Sequence, residues 1–185
     1  MRHLGVLLLA GLILAGGRMK LAYAYDLDDS LSGQRVDSRY CTVYLEPGID
    51  AKKVNRKISV RGIGWQKLPK GLSPEGELAA KCDILFQRAE ELLDMYPPGV
   101  HVALKITESR DTISGIHQTH YGEGTEAIAI YLFPGNTIYA WAKEVSEAVL
   151  IHEMAHCILD HYFQVRPPRK IEELLAIHVD TQMRE

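Results

Sequence analysis

The stretch Ile151-His152-Glu153-Met154-Ala155-His156-Cys157 lies in a mostly apolar segment and contains the pattern H-E-x-x-H. Residues four apart on an α-helix lie one turn apart on the same face, so the imidazoles of His152 and His156 can both reach one metal ion. Glu153 is poorly oriented as a third ligand, but it can take a proton from a water molecule held by that ion. The pattern predicts a metal site with two histidine ligands and Glu153 as the catalytic base.

The residues around this motif predict a single long helix. Apolar side chains recur along it at helical spacing, at Val145, Val149, Leu150, Met154, Ile158 and Leu159. Ser146 is a residue type that caps helix N-termini, and Pro167 and Pro168 cannot continue a helix. We therefore predict one helix of about five turns over residues 144–163. The alternative is a packing helix that carries two ordinary histidines.

Residues 1–24 have the composition of a secretory signal peptide. An uncharged apolar run covers residues 4–17, and Ala22-Tyr23-Ala24 offers a small-x-small cleavage site. This run is shorter than the roughly 20 residues that span a bilayer. We predict an exported protein, periplasmic or secreted, whose mature chain is residues 25–185. Because Arg18 and Lys20 lie between the run and the site, an uncleaved anchor or a cut near Gly17 is the alternative.

The predicted mature chain is long enough for one domain with its own core. It carries 18 basic and 24 acidic residues, a net charge of −6, and no dense basic stripe. Nucleic acid is therefore not an expected partner. Three cysteines remain: either Cys41 and Cys82 form a disulfide or all three are buried thiols. Cys157 faces about 100° away from His156 around a helix, so we do not expect it to be a zinc ligand or a nucleophile.

The chain before and after the motif predicts an α+β fold in which a short mixed or antiparallel sheet leads into the motif helix. Residues 25–38 are polar and predicted to be irregular. The predicted strands are an edge strand at residues 39–46 and further strands at 100–106, 126–133 and 137–141. The predicted helices are a short one from Asp50 towards Ile58, a packing helix from Ser73 to Tyr96, a short one at residues 109–120 and a final one at 171–183.

Two histidines do not complete a catalytic zinc site, which normally has three protein ligands and a fourth position for water. One continuation is H-E-x-x-H-x-x-G-x-x-H, but this chain has Leu159 and Tyr162 at the Gly and His positions, and His161 is one residue out of register. The other continuation is a carboxylate from a following helix. Glu172 or Glu173 supplies that carboxylate.

With these motifs, residues 137–180 resemble the gluzincin group of metallopeptidases, which has the thermolysin-like architecture. In that group the ligand Glu is commonly followed three residues later by a small residue, as Glu173 is by Ala176. The resemblance implies a small zincin-like domain and a zinc ion held by His152, His156 and Glu173. Glu172 is the alternative third ligand.

One position departs from the group. Relatives often have an Asp four residues after the ligand Glu to hold a zinc-bound histidine, and this chain has Ile177 there. Support for the histidines must then come from another side chain. Asp160, His178 and Asp180 are the candidates.

The resemblance implies zinc-dependent hydrolysis of peptide bonds, with Glu153 as general base and then proton donor. A peptide or protein substrate would pair in extended form with an edge strand beside the motif helix, at residues 126–133 or 137–141. A further donor for the developing oxyanion would come from His117, His120, Tyr121, Tyr162 or His178. No membrane partner is expected unless the N-terminal run stays uncleaved.

The rival function is a non-catalytic exported domain in which the same residues bind zinc structurally. A structural zinc site is normally closed by a fourth protein ligand. Cys157, Asp160 and His161 are the nearest candidates in sequence. Glu153 favours the catalytic alternative, because a purely structural site has no use for a base there.

Overall fold

A computed structural model of the protein describes residues 33–63 and 67–183, and the predicted signal peptide lies outside them. The described residues form a five-stranded mixed sheet with helices on both of its faces. The strands are β1 (Gln34–Asp37), β2 (Cys41–Leu45), β3 (Val102–Thr107), β4 (Ala129–Leu132) and β5 (Thr137–Trp141). The helices are α1 (Ala51–Asn55), α2 (Pro74–Leu93), α3 (Arg110–Tyr121), α4 (Glu147–Tyr162) and α5 (Arg169–Gln182), with a 3₁₀ turn at Phe133–Gly135.

The strand order across the sheet is β1-β2-β3-β5-β4. The three central strands are parallel, whereas β1 and β4 are antiparallel to their neighbours. Strand β4 is thus an edge strand, and β5 is paired on both sides. The predicted α+β class is confirmed, and the sheet is mixed.

Alternation of side chains along the strands separates two apolar layers. On β4, Ala129 and Tyr131 face the main core, which includes residues of α2, α4 and α5, whereas Ile130 and Leu132 pack with Ile113 of α3. Helix α4 therefore lies on the opposite side of the sheet from α3. Among the described residues, no helix has the length and apolarity needed to cross a bilayer.

Helix α4 begins close to where the sequence predicts. The Ser146 hydroxyl accepts a hydrogen bond from the backbone N–H of Val149, so the predicted N-cap is confirmed. The helix ends at Tyr162, because Phe163 is extended. Strand β5 leads into this helix through a short loop, as predicted.

The prediction for the first strands is wrong in two respects. Residues 34–37, predicted to be irregular, form β1, and β2 is an internal strand rather than an edge strand. The sequence Gln-Arg-Val-Asp of β1 is mostly exposed and polar, so it lacks the apolar alternation that marks a strand. Its strand conformation depends on pairing with β2.

The three cysteines are buried free thiols, which agrees with the second alternative for them. The Sγ atom of Cys157 lies 3.2 Å from the side-chain oxygen of Asn136, the residue before β5. Burial raises the pKa of the Cys157 thiol well above its usual value. This thiol is therefore a packed, neutral group.

Candidate metal centre

The candidate site lies between α4 and α5, which pack against each other in opposite directions. His152, in the first half of α4, contacts Asp180 near the end of α5, and His156, one turn later, faces Glu173 near the start of α5. Because each helix repeats every 3.6 residues, side chains at these spacings fall on the two facing sides. The helical pair thus brings residues from distant parts of the sequence to one place.

Three donor atoms converge at this place. The Nε2 atoms of His152 and His156 are 3.3 Å apart, and the Glu173 Oε2 atom lies 3.6 Å from the first and 3.8 Å from the second. Ligand atoms about 2.1 Å from a zinc ion in a tetrahedral site are about 3.4 Å from one another. The three side chains form a group that could hold a metal ion, and their spacing fits one.

Asp180 determines which nitrogen of His152 is free to act as a ligand. Its Oδ2 atom lies 2.8 Å from His152 Nδ1. A carboxylate in that position favours the proton on Nδ1, which leaves the lone pair of Nε2 facing the other two donors. Asp180 is seven residues after Glu173, about two helical turns, so both carboxylates lie on the same face of α5.

The other two candidates for supporting a histidine, His178 and Asp160, do not take this position. His178 is exposed on α5, as is Ile177. The Oδ1 atom of Asp160 lies 2.9 Å from Arg166 Nε. The support that relatives often place at the position of Ile177 comes here from Asp180, three residues later.

Glu172, the alternative third ligand, is bound elsewhere. Its Oε1 atom accepts a hydrogen bond of 2.7 Å from Arg166 Nε, and its side chain is 6 % exposed. The same Nε–H group faces Asp160, whose side chain is 2 % exposed. Arg166 therefore connects the end of α4 with the start of α5, next to Glu173. Glu172 is not part of the group of three donor atoms.

Glu153 lies beside the donor group, between α4 and the edge strand. The backbone of Tyr131 on β4 lies near its carboxylate and favours the charged form. Burial raises the pKa of Glu153 to about 7, although the neighbouring His152 and the backbone of Tyr131 both oppose this shift. A carboxyl group with such a pKa can both accept and release a proton near neutral pH.

The pKa of His156 is lowered, first by burial and then by the proximity of His152. Both effects favour the neutral imidazole. Neutral imidazole is the form that coordinates a metal ion. The electrostatic environment of the donor group is thus consistent with metal binding.

A cleft of about 470 Å³ opens over this site. Residues of β4, the end of α3 and the segment from Arg166 to Glu173 line it together with the two histidines and Glu153. Of the candidate oxyanion donors, His117 and Tyr121 line the cleft, whereas His120, Tyr162 and His178 do not. The Nδ1 atom of His117 lies 2.7 Å from the carbonyl oxygen of Glu123, so Nδ1 carries a proton.

The residues nearest to the motif in sequence do not close the site with a fourth ligand. Cys157 Sγ faces Asn136, His161 Nδ1 donates to the Cys157 carbonyl oxygen at 2.8 Å, and Asp160 pairs with Arg166. Within residues 33–63 and 67–183, the metal-binding group consists of three residues only. A fourth position is therefore left for a non-protein ligand.

No protein family model, no curated protein and no solved structure matches this chain. The interpretation of the site therefore depends on its own geometry and donor chemistry. Sequence reasoning missed the role of Arg166, and no local motif marks that residue. Asp180 was one of three predicted candidates for supporting a histidine, and its spacing of seven residues from Glu173, which returns to the same helix face, distinguishes it from the other two.

Proposed function

We propose that the protein is an exported zinc-dependent metallopeptidase with a small zincin-like domain. The observation that carries this proposal is the convergence of two imidazole nitrogens and one carboxylate oxygen, 3.3 to 3.8 Å apart, beside a half-buried glutamate. The order of sheet, motif helix and ligand helix supports the gluzincin-like arrangement.

Zinc is the metal that this donor set favours, because two histidines and one glutamate are a common ligand set of catalytic zinc sites. When bound, zinc would polarise a water molecule and the carbonyl group of the scissile peptide bond. The role of the ligands is to hold the ion at one point of the cleft. Asp180 orients His152, and Arg166 supports the start of α5 next to Glu173.

Glu153 has the position and the acidity of the general base. Its carboxylate accepts a proton from the attacking water and passes it to the leaving nitrogen of the peptide. A pKa raised to about 7 suits both steps, because the group is neither permanently charged nor permanently protonated near neutral pH. Glu153 and Tyr131 of β4 both line the cleft.

Strand β4 is the better candidate for binding an extended substrate. Its outer edge is not paired with any described strand, whereas β5 is paired on both sides. Residues of β4, including Ala129 and Ile130, line the cleft. A peptide that adds to this edge by backbone hydrogen bonds would pass in front of Glu153. This selects residues 126–133 over residues 137–141 as the substrate-binding segment.

The structural-zinc alternative is less well supported. It requires a fourth protein ligand, and the described residues supply three. A half-buried glutamate with a raised pKa beside the ligands also has no structural purpose. An open coordination position and a base next to it are features of catalysis.

A pair of matched substitutions tests the proposed function. Glu153→Gln keeps the size of the side chain but removes the base, so we expect unchanged zinc content and at least a 100-fold loss of peptide-library hydrolysis, about the contribution of a general base. Glu144→Gln, an exposed residue outside the cleft, is the control and should keep full activity. Equal hydrolysis by wild type and Glu153→Gln would reject the catalytic role of Glu153.

A further inference from the structure

A second part of the chain has a strongly biased charge. The expectation of no dense basic stripe is wrong for residues 51–74, which contain seven basic residues and no acidic residue. The predicted mature chain as a whole has more acidic than basic residues, so this segment differs sharply from the rest. The seven basic residues are Lys52, Lys53, Arg56, Lys57, Arg61, Lys67 and Lys70.

The fold gathers part of this charge around one cleft. Lys52, Arg56 and Arg61 line it, together with Lys81 from α2, and its volume is about 750 Å³. We call it the basic cleft. It shares no lining residue with the cleft over the metal centre.

One of these four cations is held by protein groups and three are not. Lys81 pairs with Glu77 at 2.8 Å and donates to the Asn55 carbonyl oxygen at 2.8 Å. Within residues 33–63 and 67–183, no side chain pairs with Lys52, Arg56 or Arg61, and all three are exposed.

Lys57 lies on the same segment and is also engaged, because its Nζ donates to the carbonyl oxygens of Ala142 and Lys143. The free positive charge of the basic cleft therefore comes from α1 and the segment that follows it. Unneutralised cations attract an anionic partner.

We propose that the basic cleft and the basic residues beside it bind the protein to an anionic phospholipid surface. Lys53, Lys67 and Lys70 are exposed outside the cleft lining, so the charge extends further than one small anion would need. Clusters of four to eight basic residues of this kind bind anionic membranes.

Apolar side chains next to the cations support the same partner. Leu68 and Leu72 line the basic cleft, and Leu72 is 41 % exposed. Such side chains can enter the boundary between lipid headgroups and acyl chains, while the cations contact the phosphates.

Binding to vesicles tests this proposal with the secreted, zinc-loaded protein. At about 0.05 M salt we expect stronger binding to vesicles of phosphatidylcholine with phosphatidylglycerol than to vesicles of phosphatidylcholine alone. This difference should disappear at about 0.5 M salt, because the salt screens the charges. The variant Lys52→Gln/Arg56→Gln/Arg61→Gln should lower the partition coefficient on anionic vesicles about 100-fold, since each cation contributes about fivefold.

Two further variants carry the same change in net charge. Lys53→Gln/Lys67→Gln/Lys70→Gln should also weaken binding strongly, because an extended surface uses the cations beside the cleft. Arg35→Gln/Arg39→Gln/Lys170→Gln, exposed residues of β1, of the turn after it and of α5, is the control and should bind much like wild type. Thermal unfolding of each variant shows that it is folded.

Three results would overturn the proposal. Equal binding to neutral and anionic vesicles would show that the charge is not used. An equal loss in the control variant would assign the effect to net charge alone. Loss only in the first variant, together with saturable binding of inorganic phosphate in solution, would indicate a pocket for a small anion instead.

Discussion

The α4–α5 pair carries two neighbouring clusters of three polar side chains, and the clusters differ in one respect. Where α4 ends and α5 begins, Arg166 lies between the buried carboxylates of Asp160 and Glu172. Beside this cluster, His152, His156 and Glu173 turn their donor atoms towards one another. The first cluster contains its own cation, and the second has none at its centre.

This difference separates a structural role from a binding role. Buried carboxylates are costly unless a positive group compensates them, and Arg166 provides that compensation within the protein. Facing lone pairs are equally unfavourable until a proton or a metal ion lies between them. The two adjacent residues Glu172 and Glu173 therefore do different work, although they have the same chemistry.

The largest expected difference comes from replacing Glu172 and Glu173 by alanine, one at a time. Glu173→Ala removes a ligand, so zinc affinity should fall by more than about 100-fold, beyond the usual effect of losing only a supporting side chain. Glu172→Ala should keep one zinc ion per chain and lose stability. Zinc content after dialysis against a weak chelator measures both. Loss of zinc only from Glu172→Ala would show that the wrong neighbour was chosen.

Asp180→Asn tests the support given to His152. The amide can no longer hold the Nδ1 proton as strongly, so zinc affinity should fall about 10- to 100-fold while the protein stays folded. Competition with a chromogenic chelator gives the affinity. Asp111→Asn, an exposed residue of α3, is the control. Unchanged affinity in Asp180→Asn would remove this residue from the site.

Arg166→Ala tests the cluster in which Arg166 compensates the carboxylates of Asp160 and Glu172. It leaves two buried carboxylates without their cation, so the free energy of unfolding should fall by about 2 kcal/mol. Urea unfolding of the zinc-saturated proteins measures it. Arg169→Ala is the control. Arg169 is 84 % exposed, and its Nε atom lies 3.7 Å from Glu173 Oε1. Surface ion pairs of this kind contribute about 0.5 kcal/mol. Equal effects of the two variants would contradict the structural role of Arg166.

In the metal-free protein, the loss of unfolding free energy caused by Arg166→Ala should depend on pH, and this is a smaller effect. Burial raises the pKa of Asp160 to about 6, above its unfolded value, so the folded state binds this proton more tightly. The stabilisation that this proton provides is lost as pH rises through 6, and Arg166 is needed most above that pH. The destabilisation by Arg166→Ala should therefore be about 1 kcal/mol smaller at pH 5 than at pH 8. A larger destabilisation by Arg166→Ala at pH 5 than at pH 8 would contradict this prediction.

Local patterns were sufficient for the elements that hold the metal centre. The apolar periodicity and Ser146 predicted α4, and the H-E-x-x-H spacing predicted which two histidines face the same way. Ala176, the small residue three positions after Glu173, favoured Glu173 over Glu172 through the resemblance to the gluzincin group. These features depend on helix geometry within one or two turns, and the sequence alone carries that information.

Features that depend on tertiary contacts were not predicted. Strand β1 has a polar sequence and forms by pairing with β2, and Arg166 reaches its two carboxylates from an irregular segment. The basic cleft combines a cation of α2 with those of residues 52–61. In each case the contact joins separate elements or an irregular segment, and the periodicity within a single helix or strand does not predict it.

The most direct test of the metal centre is anomalous X-ray diffraction at the zinc edge from crystals of the zinc-loaded protein. We predict one strong peak between the two helices, about 2.0 to 2.2 Å from His152 Nε2, His156 Nε2 and a Glu173 carboxylate oxygen, with a fourth position not taken by protein. No peak at this place, or a peak closed by a fourth side chain, would contradict the proposed catalytic site.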